Sequence, residues 1–427
     1  MKLRLAAGLL LVLVSCANES PSSPFDQVAS NLISTAESTS TTTTTTTATT
    51  SAAATATTTT SATTTTTTSA TPLSSAVSSG REISDDPLPR ADLFDAAFEL
   101  NVLTAGSVDV SVAVMFQGEI VHTYASSSAK SSRPVDPNTS FRIASVSKIL
   151  TAETVMKLVD QGRVQLDDRV VDDIAQSMGI TLADERARNI TIRQLLSHTS
   201  GLSNFLKIFF DVGTYDQTSM LTEVLGQSLA SEPGSSYKYS NVNYVLLGKA
   251  IELATGSTYE DAVRVSILEP LGADSFRLTD TYEFAERDAR HAVSANRTYM
   301  EQLGAAGAWV ATASDVARMV SVIDEDFAVV PLLTAQSTRT MKTPATPTGV
   351  APTWDYGLGL RLFSSGEWGH SGSIENVHAL AVKRPDGLIV AALVNGSKPK
   401  ETDDLLRIIN DAVLAARTGV AATTTVP

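Results

Sequence analysis

Phe141-Arg142-Ile143-Ala144-Ser145-Val146-Ser147-Lys148 places a serine and a lysine three residues apart at the head of an apolar stretch. Ile149, Leu150, Val155, Met156, Leu158 and Val159 follow at helical spacing, and Gly162 supplies a stop. In a helix starting near Ser145, the hydroxyl and the ammonium lie on one face, one turn apart. A serine hydroxyl is a weak nucleophile until a base takes its proton. A lysine held against it in a dry pocket, with its pKa lowered by burial, can be that base. The spacing alone is ambiguous, because a serine at this place is also a helix cap. The same spacing recurs at Ser127/Lys130, Ser235/Lys238 and Ser397/Lys400, in Gly-, Ser- and Pro-rich stretches that read as loops.

Outward from this stretch, strands come from both ends of the chain and helices from between. Val108–Val114 and Ile120–Tyr124 flank Gln117-Gly118 and predict a β-hairpin. Val377–Val382 and Leu388–Val394 flank Arg384-Pro385-Asp386-Gly387 and predict a second one. A helix is expected over Ile83–Thr104, with Leu93, Phe94, Ala97, Phe98, Leu100 and Leu103 as its apolar face. Another is expected over Asp403–Ala416, and residues 150–330 read as mostly helical. The fold class is therefore α/β (α+β), a largely antiparallel sheet flanked by helices, with a helical lobe inserted.

Two further motifs stand in order after Ser145 and Lys148. Tyr239-Ser240-Asn241 follows a Pro-Gly-Ser loop and precedes a helix expected from Tyr244 to Leu253, so the phenol and the amide share a turn. His370-Ser371-Gly372 reads as a strand end before the last hairpin, with Gly372 letting a substrate backbone approach closely.

Ser145-x-x-Lys148, Tyr239-x-Asn241 and His370-Ser371-Gly372, in that order, resemble the serine β-lactamase and penicillin-binding-protein superfamily. The Tyr-x-Asn form is similar to the class C branch, which includes class C β-lactamases, D-alanyl-D-alanine carboxypeptidases and related esterases. Ile192–Leu202 and Tyr356–Leu360 support the resemblance, which covers about residues 90–415. It implies a β-lactamase/transpeptidase-like fold and an acyl-enzyme on Ser145. Lys148 and Tyr239 would shuttle the proton, with the choice of base left open. Asn241 would hold the acyl side chain, while His370 and Ser371 face the substrate carboxylate and leaving group. The backbone N–H groups of Ser145 and Ser373 would form the oxyanion hole. Lysine is common at the first position of the third motif; histidine there looks like some D,D-carboxypeptidases. Because imidazole titrates near 6.5, the anion-binding charge at His370 is expected to be lost as pH rises. No cofactor is implied. The expected substrate is a small molecule or peptide: a cell-wall peptide, an ester or a β-lactam. A silent binding protein of the same fold is the rival from another class.

Arg361 is a second candidate for binding a substrate carboxylate. His198 is expected to order the Ser-His-Thr-Ser-Gly loop, and His122, His291 and His378 to be structural or surface residues. Trp309, Trp354 and Trp368 are expected in core or cleft wall. The loose Glu185…Asn189 pair lacks the leucine of the class A water-positioning motif.

Met1-Lys2-Leu3-Arg4 and the apolar run Leu5–Val14 form a short export leader, below the roughly 20 apolar residues of a spanning helix. Leu13-Val14-Ser15-Cys16 resembles a bacterial lipobox and makes Cys16, the single cysteine, the expected lipidation site. The expected organisation is a lipoprotein-type signal peptide (1–15), a disordered tether (16–84), a hydrolase domain (85–417) and a disordered tail (418–427). Thr39–Thr68 is almost wholly Thr, Ser and Ala, which cannot bury enough apolar surface to order itself. The protein is thus expected on the outer face of the cytoplasmic membrane, or secreted. A net charge of −14 argues against nucleic acid as a partner, and no Cys/His metal spacing, P-loop or G-x-G-x-x-G is present.

Overall fold

Val110, Val112 and Val114 point to one side of their strand, and Ala113 and Met115 to the other; all are buried. That period-two burial on both faces places the strand in the middle of a sheet covered on each side. The computed structural model describes residues 86–211, 213, 215–397 and 402–421. The leader, Cys16, the tether and the end of the tail lie outside the described residues.

Ten strands are described: β1 (Ser107–Phe116), β2 (Glu119–Ser127), β3 (Phe141–Arg142), β4 (Arg277–Leu278), β5 (Trp309–Ala311), β6 (Trp354–Tyr356), β7 (Arg361–Phe363), β8 (Trp368–Ile374), β9 (Val377–Lys383) and β10 (Leu388–Gly396). Seven form one antiparallel sheet in the order β2-β1-β10-β9-β8-β7-β6. Both expected hairpins are present. Gln117 and Gly118 turn the first with φ of 50° and 84°, the pair of left-handed residues that a two-residue hairpin loop requires. A small sheet, β3-β5-β4, was not anticipated; it ties the strand before Ser145 to the far end of the helical lobe.

The principal helices are α1 (Ala91–Thr104), α2 (Ser147–Asp160), α3 (Asn241–Thr255), α4 (Ala313–Ser321) and α5 (Thr402–Thr418). α1 begins at Ala91 rather than Ile83: the described residues before it, with Pro87 and Pro89, form bends and a turn, and the prolines supply no backbone N–H for a helix there. Its buried stripe is Phe94, Ala97, Phe98, Asn101 and Val102, while Leu100 is 40% exposed. The Asn101 amide is satisfied by the Ala97 carbonyl at 2.9 Å. α1 and α5 cover one face of the sheet; the helical lobe and α4 cover the other.

Glu153 breaks the pattern in α2. It has no exposed surface, and neither carboxylate oxygen has a partner among the described residues. Burial raises its pKa well above the usual carboxylate range, so it is held neutral. In the unfolded chain it ionises near the ordinary value. Its contribution to stability is therefore full below about pH 4.5 and falls as pH rises, by up to about 1.4 kcal/mol per unit. Glu153→Met should stabilise the protein by a margin that grows from pH 5 to pH 8 in urea midpoints. An equal margin at both pH values would mean that the native carboxyl is already ionised.

Candidate active site

Between β3 and α2 the chain makes a single 3-10 turn, Ala144–Val146, before the α-helix starts at Ser147. Ala144 has φ 48°, a left-handed conformation that costs a non-glycine residue about 1–2 kcal/mol. The turn leaves Ser145 partly exposed while Lys148, one turn on, has no exposed surface. The two remain adjacent, with Lys148 Nζ 3.1 Å from Ser145 Oγ.

Lys148 Nζ also donates to Asn241 Oδ1 at 2.9 Å and to the Ala306 carbonyl at 2.6 Å. Burial, and secondarily the positive charge of Arg361, pushes its pKa well below the ordinary lysine value. A neutral amine has two hydrogens and one lone pair. Two carbonyl-type acceptors use the hydrogens, and the lone pair is left for the Ser145 hydroxyl proton. Asn241 stands at the first residue of α3, where the preceding loop delivers it to Lys148.

Tyr239 hydrogen-bonds Ser145, and burial pushes its pKa up to about 12, partly offset by that bond and by Arg361. It is held in place by aromatic packing. The His198 ring lies 4.3 Å from its centroid, and Lys148 Nζ 5.1 Å from it. His198 is buried at φ 58°, and its Nδ1 accepts from Ser240 N–H at 3.3 Å and faces Asn243 Nδ2 at 3.0 Å. Burial first, then Lys148, keeps its pKa well below 6.5. Its ring thus joins the Ser-His-Thr-Ser-Gly loop to the Tyr239 segment as a neutral group.

The third motif departs from expectation. His370 sits in the middle of β8, paired with Ala381 of β9, rather than at a strand end. It has no exposed surface; Nε2 lies 2.9 Å from Tyr356 Oη and Nδ1 2.5 Å from the Ser371 carbonyl. Burial, then the charges of Arg361 and Lys148, depress its pKa well below 6.5. The sequence reading has this imidazole facing a substrate anion with a conditional charge; in the structure its ring nitrogens face Tyr356 and the Ser371 carbonyl. His370 is a neutral, enclosed partner of Tyr356, because β8 carries its ring under the surface.

Gly372 has a reason within the fold itself. A Cβ there would stand 2.4 Å from the Ile143 carbonyl oxygen and 2.9 Å from Ser145 N. The position is glycine because β8 lies directly on the turn that carries Ser145, before any substrate is considered. Ser371 is buried, and Ser373 is exposed with its Oγ 3.0 Å from His378 Nδ1. That pairing gives His378 a place beside the site which no motif in the sequence marked.

Arg361, half-buried on β7, stands opposite Gly369 of β8, and its guanidinium lies 4.7 Å from the Trp354 ring centroid. Its charge lowers the pKa values of Lys148, His198 and His370 alike, so it is the fixed positive charge felt across the site. The remaining candidates are structural. His122 pairs with Asp95 at 2.6 Å, Trp309 is buried against Tyr259, and Glu185 pairs with Arg188 in a surface turn.

A family model described as Beta-lactamase matches residues 94–414. Penicillin-binding protein 4 of Amycolatopsis lactamdurans is 36% identical over 135 residues, covering 31% of this chain and 34% of that protein. Esterase EstB of Burkholderia gladioli is 31% identical over 202 residues, covering 44% and 51%. These matches span about a third to a half of the relatives' own lengths. Among solved structures, the D-amino acid amidase from Ochrobactrum anthropi SV3 superposes with a TM-score of 0.63 at 27% identity, covering 78% of this chain and 100% of that one. The match runs through both flanks of the sheet and the whole helical lobe, and with the Ser145–Lys148 pair at its centre the chain belongs to the beta-lactamase family of serine hydrolases.

Proposed function

We propose that the protein hydrolyses amides or esters through an acyl-enzyme on Ser145, acting as a D-alanyl-D-alanine carboxypeptidase-type peptidase on cell-wall peptides. The observation that carries this reading is the buried amine of Lys148, its hydrogens engaged by Asn241 and Ala306 and its remaining face on Ser145 Oγ. Lys148 takes the hydroxyl proton as Ser145 Oγ bonds to the substrate carbonyl carbon. The backbone N–H groups of Ser145 and Ser373 receive the oxyanion. Tyr239, a protonated phenol at neutral pH, gives its proton to the departing amine or alcohol, and the Lys148 ammonium replaces it. Water then attacks the acyl-enzyme, the same groups carrying the proton back. By the family resemblance, Asn241 and Ser371 would flank the bound substrate. Support for a D-configured substrate is the similarity to a D-amino acid amidase. The test is intact mass after incubation with a labelled penicillin, followed by turnover of D-Ala-D-Ala peptides, short p-nitrophenyl esters and a cephalosporin.

A carboxylesterase is the second reading, and the neutral, enclosed His370 favours it, because the third motif then offers no cation to a substrate carboxylate. Arg361 separates the two. If Arg361 binds the terminal carboxylate of a peptide, the ratio of kcat/KM for anionic over neutral substrates stays flat from pH 6 to 9. Arg361→Gln then lowers that ratio by about tenfold or more, the worth of a charge-assisted hydrogen bond. A ratio that falls as pH rises through 6–7 would restore charge recognition by His370. A flat ratio unchanged by Arg361→Gln would favour the esterase.

The leader and Cys16 support a lipoprotein on the outer face of the cytoplasmic membrane, anchored by lipid at Cys16. Fractionation of cells expressing the full chain tests this; recovery in the soluble fraction would refute it.

A further inference from the structure

Two left-handed, non-glycine residues flank the two backbone N–H groups assigned above to the oxyanion. Ala144, at φ 48°, immediately precedes Ser145; Glu375, at φ 49°, follows Ser373 in the turn out of β8. Each conformation costs of order 1–3 kcal/mol and persists only where its surroundings enforce it. Gly372 lets the two segments touch, but contact at one point does not fix the angle of the turns beyond it.

One side chain joins the two segments. Tyr299 Oη accepts from Arg142 Nη1 at 2.8 Å and donates to Glu375 Oε2 at 3.2 Å. Arg142 closes β3 just before the Ser145 turn, and its Nη2 donates to the carbonyls of Asp280 and Thr281 at 3.1 and 2.6 Å. Glu375 also accepts the Ser294 N–H at 3.3 Å and Arg297 Nη1 at 3.4 Å. Tyr299 has no exposed surface, and burial raises its pKa, so it stays a donor across the working range.

We propose that the Arg142–Tyr299–Glu375 chain is a brace that sets the separation of the Ser145 and Ser373 N–H groups, making Tyr299 and Glu375 positioning residues for the oxyanion. The proposal rests on the reading of Ser145 as nucleophile. Oxyanion donors lower a barrier only if they are fixed before the charge develops. A hydroxyl held between a guanidinium and a carboxylate is a short, directional link suited to that task. None of its members needs to touch substrate.

The test is Tyr299→Phe, with Glu375→Ala and Glu375→Gln beside it. For a neutral ester, Tyr299→Phe and Glu375→Ala should each lower kcat by about tenfold to a hundredfold with KM little changed, the scale set by small misplacements of reacting groups. Affinity for a boronic acid that forms a tetrahedral adduct should fall by the same factor as kcat/KM. Glu375→Gln keeps an acceptor for Tyr299 and should stay within about threefold of wild type. Loss of ester KM with kcat and boronate affinity intact would overturn the brace, as would wild-type kinetics in either disruptive variant. If Tyr299→Phe does not fold, Glu375→Ala on the outer turn decides alone. Failure of the underlying reading looks different: wild-type protein would then take no penicillin label at Ser145.

Discussion

Ser145→Ala should take up no penicillin label and turn over no ester, amide or β-lactam above background, while melting within a few degrees of wild type. The loss of rate should be at least about three orders of magnitude, because the atom that attacks is gone and the remaining groups act only as a unit with it. The stability cost should be small. Ser145 is partly exposed, and its hydrogen bonds are to Tyr239 and to a lysine that keeps two other partners. Intact mass and a thermal scan on the same sample decide the matter. Label that persists, or that moves to Ser127 or Ser235, would remove Ser145 from the mechanism. Ser127, on β2, donates to Asp109 of β1, and Ser235 lies in the exposed loop before Tyr239.

The two hairpins were legible because alternating apolar residues and turn formers act over a few neighbours. So was the Ser145–Lys148 pair, though not its geometry. A 3-10 turn with a left-handed alanine has no local signature, since alanine is an ordinary helix former. His370 shows a different limit. Its place just before the last hairpin reads as a strand end, and only pairing with β9 reveals it as mid-strand and enclosed. Its protonation follows from burial and from Arg361, a residue on another strand. Tyr299 and Glu375 belong to no motif and meet only through the fold. The late start of α1 is readable from Pro87 and Pro89, and the apolar face itself begins only at Leu93.

Lys148→Met should abolish turnover nearly as completely as loss of Ser145, and its pH dependence should say why. In wild type, the base works once its proton is lost, and burial makes that happen well below the ordinary lysine range. kcat/KM should therefore rise on an acid limb and reach a plateau before alkaline pH. Tyr239, held up at about 12, stays protonated across the plateau and remains able to supply the leaving group. The same depressed pKa affects stability. Between the folded and unfolded lysine values, the unfolded chain binds the extra proton, so this group's contribution to stability rises with pH towards about 10.5. Lys148→Met removes that slope along with the activity. It also strands Asn241 Oδ1 and the Ala306 carbonyl, at a cost of about 1–3 kcal/mol for each that finds no new partner. Inactivity with a shallower pH–stability curve would identify Lys148 as the neutral base. A variant within tenfold of wild type, or a wild-type acid limb still climbing at pH 10, would hand the proton from Ser145 to Tyr239 instead.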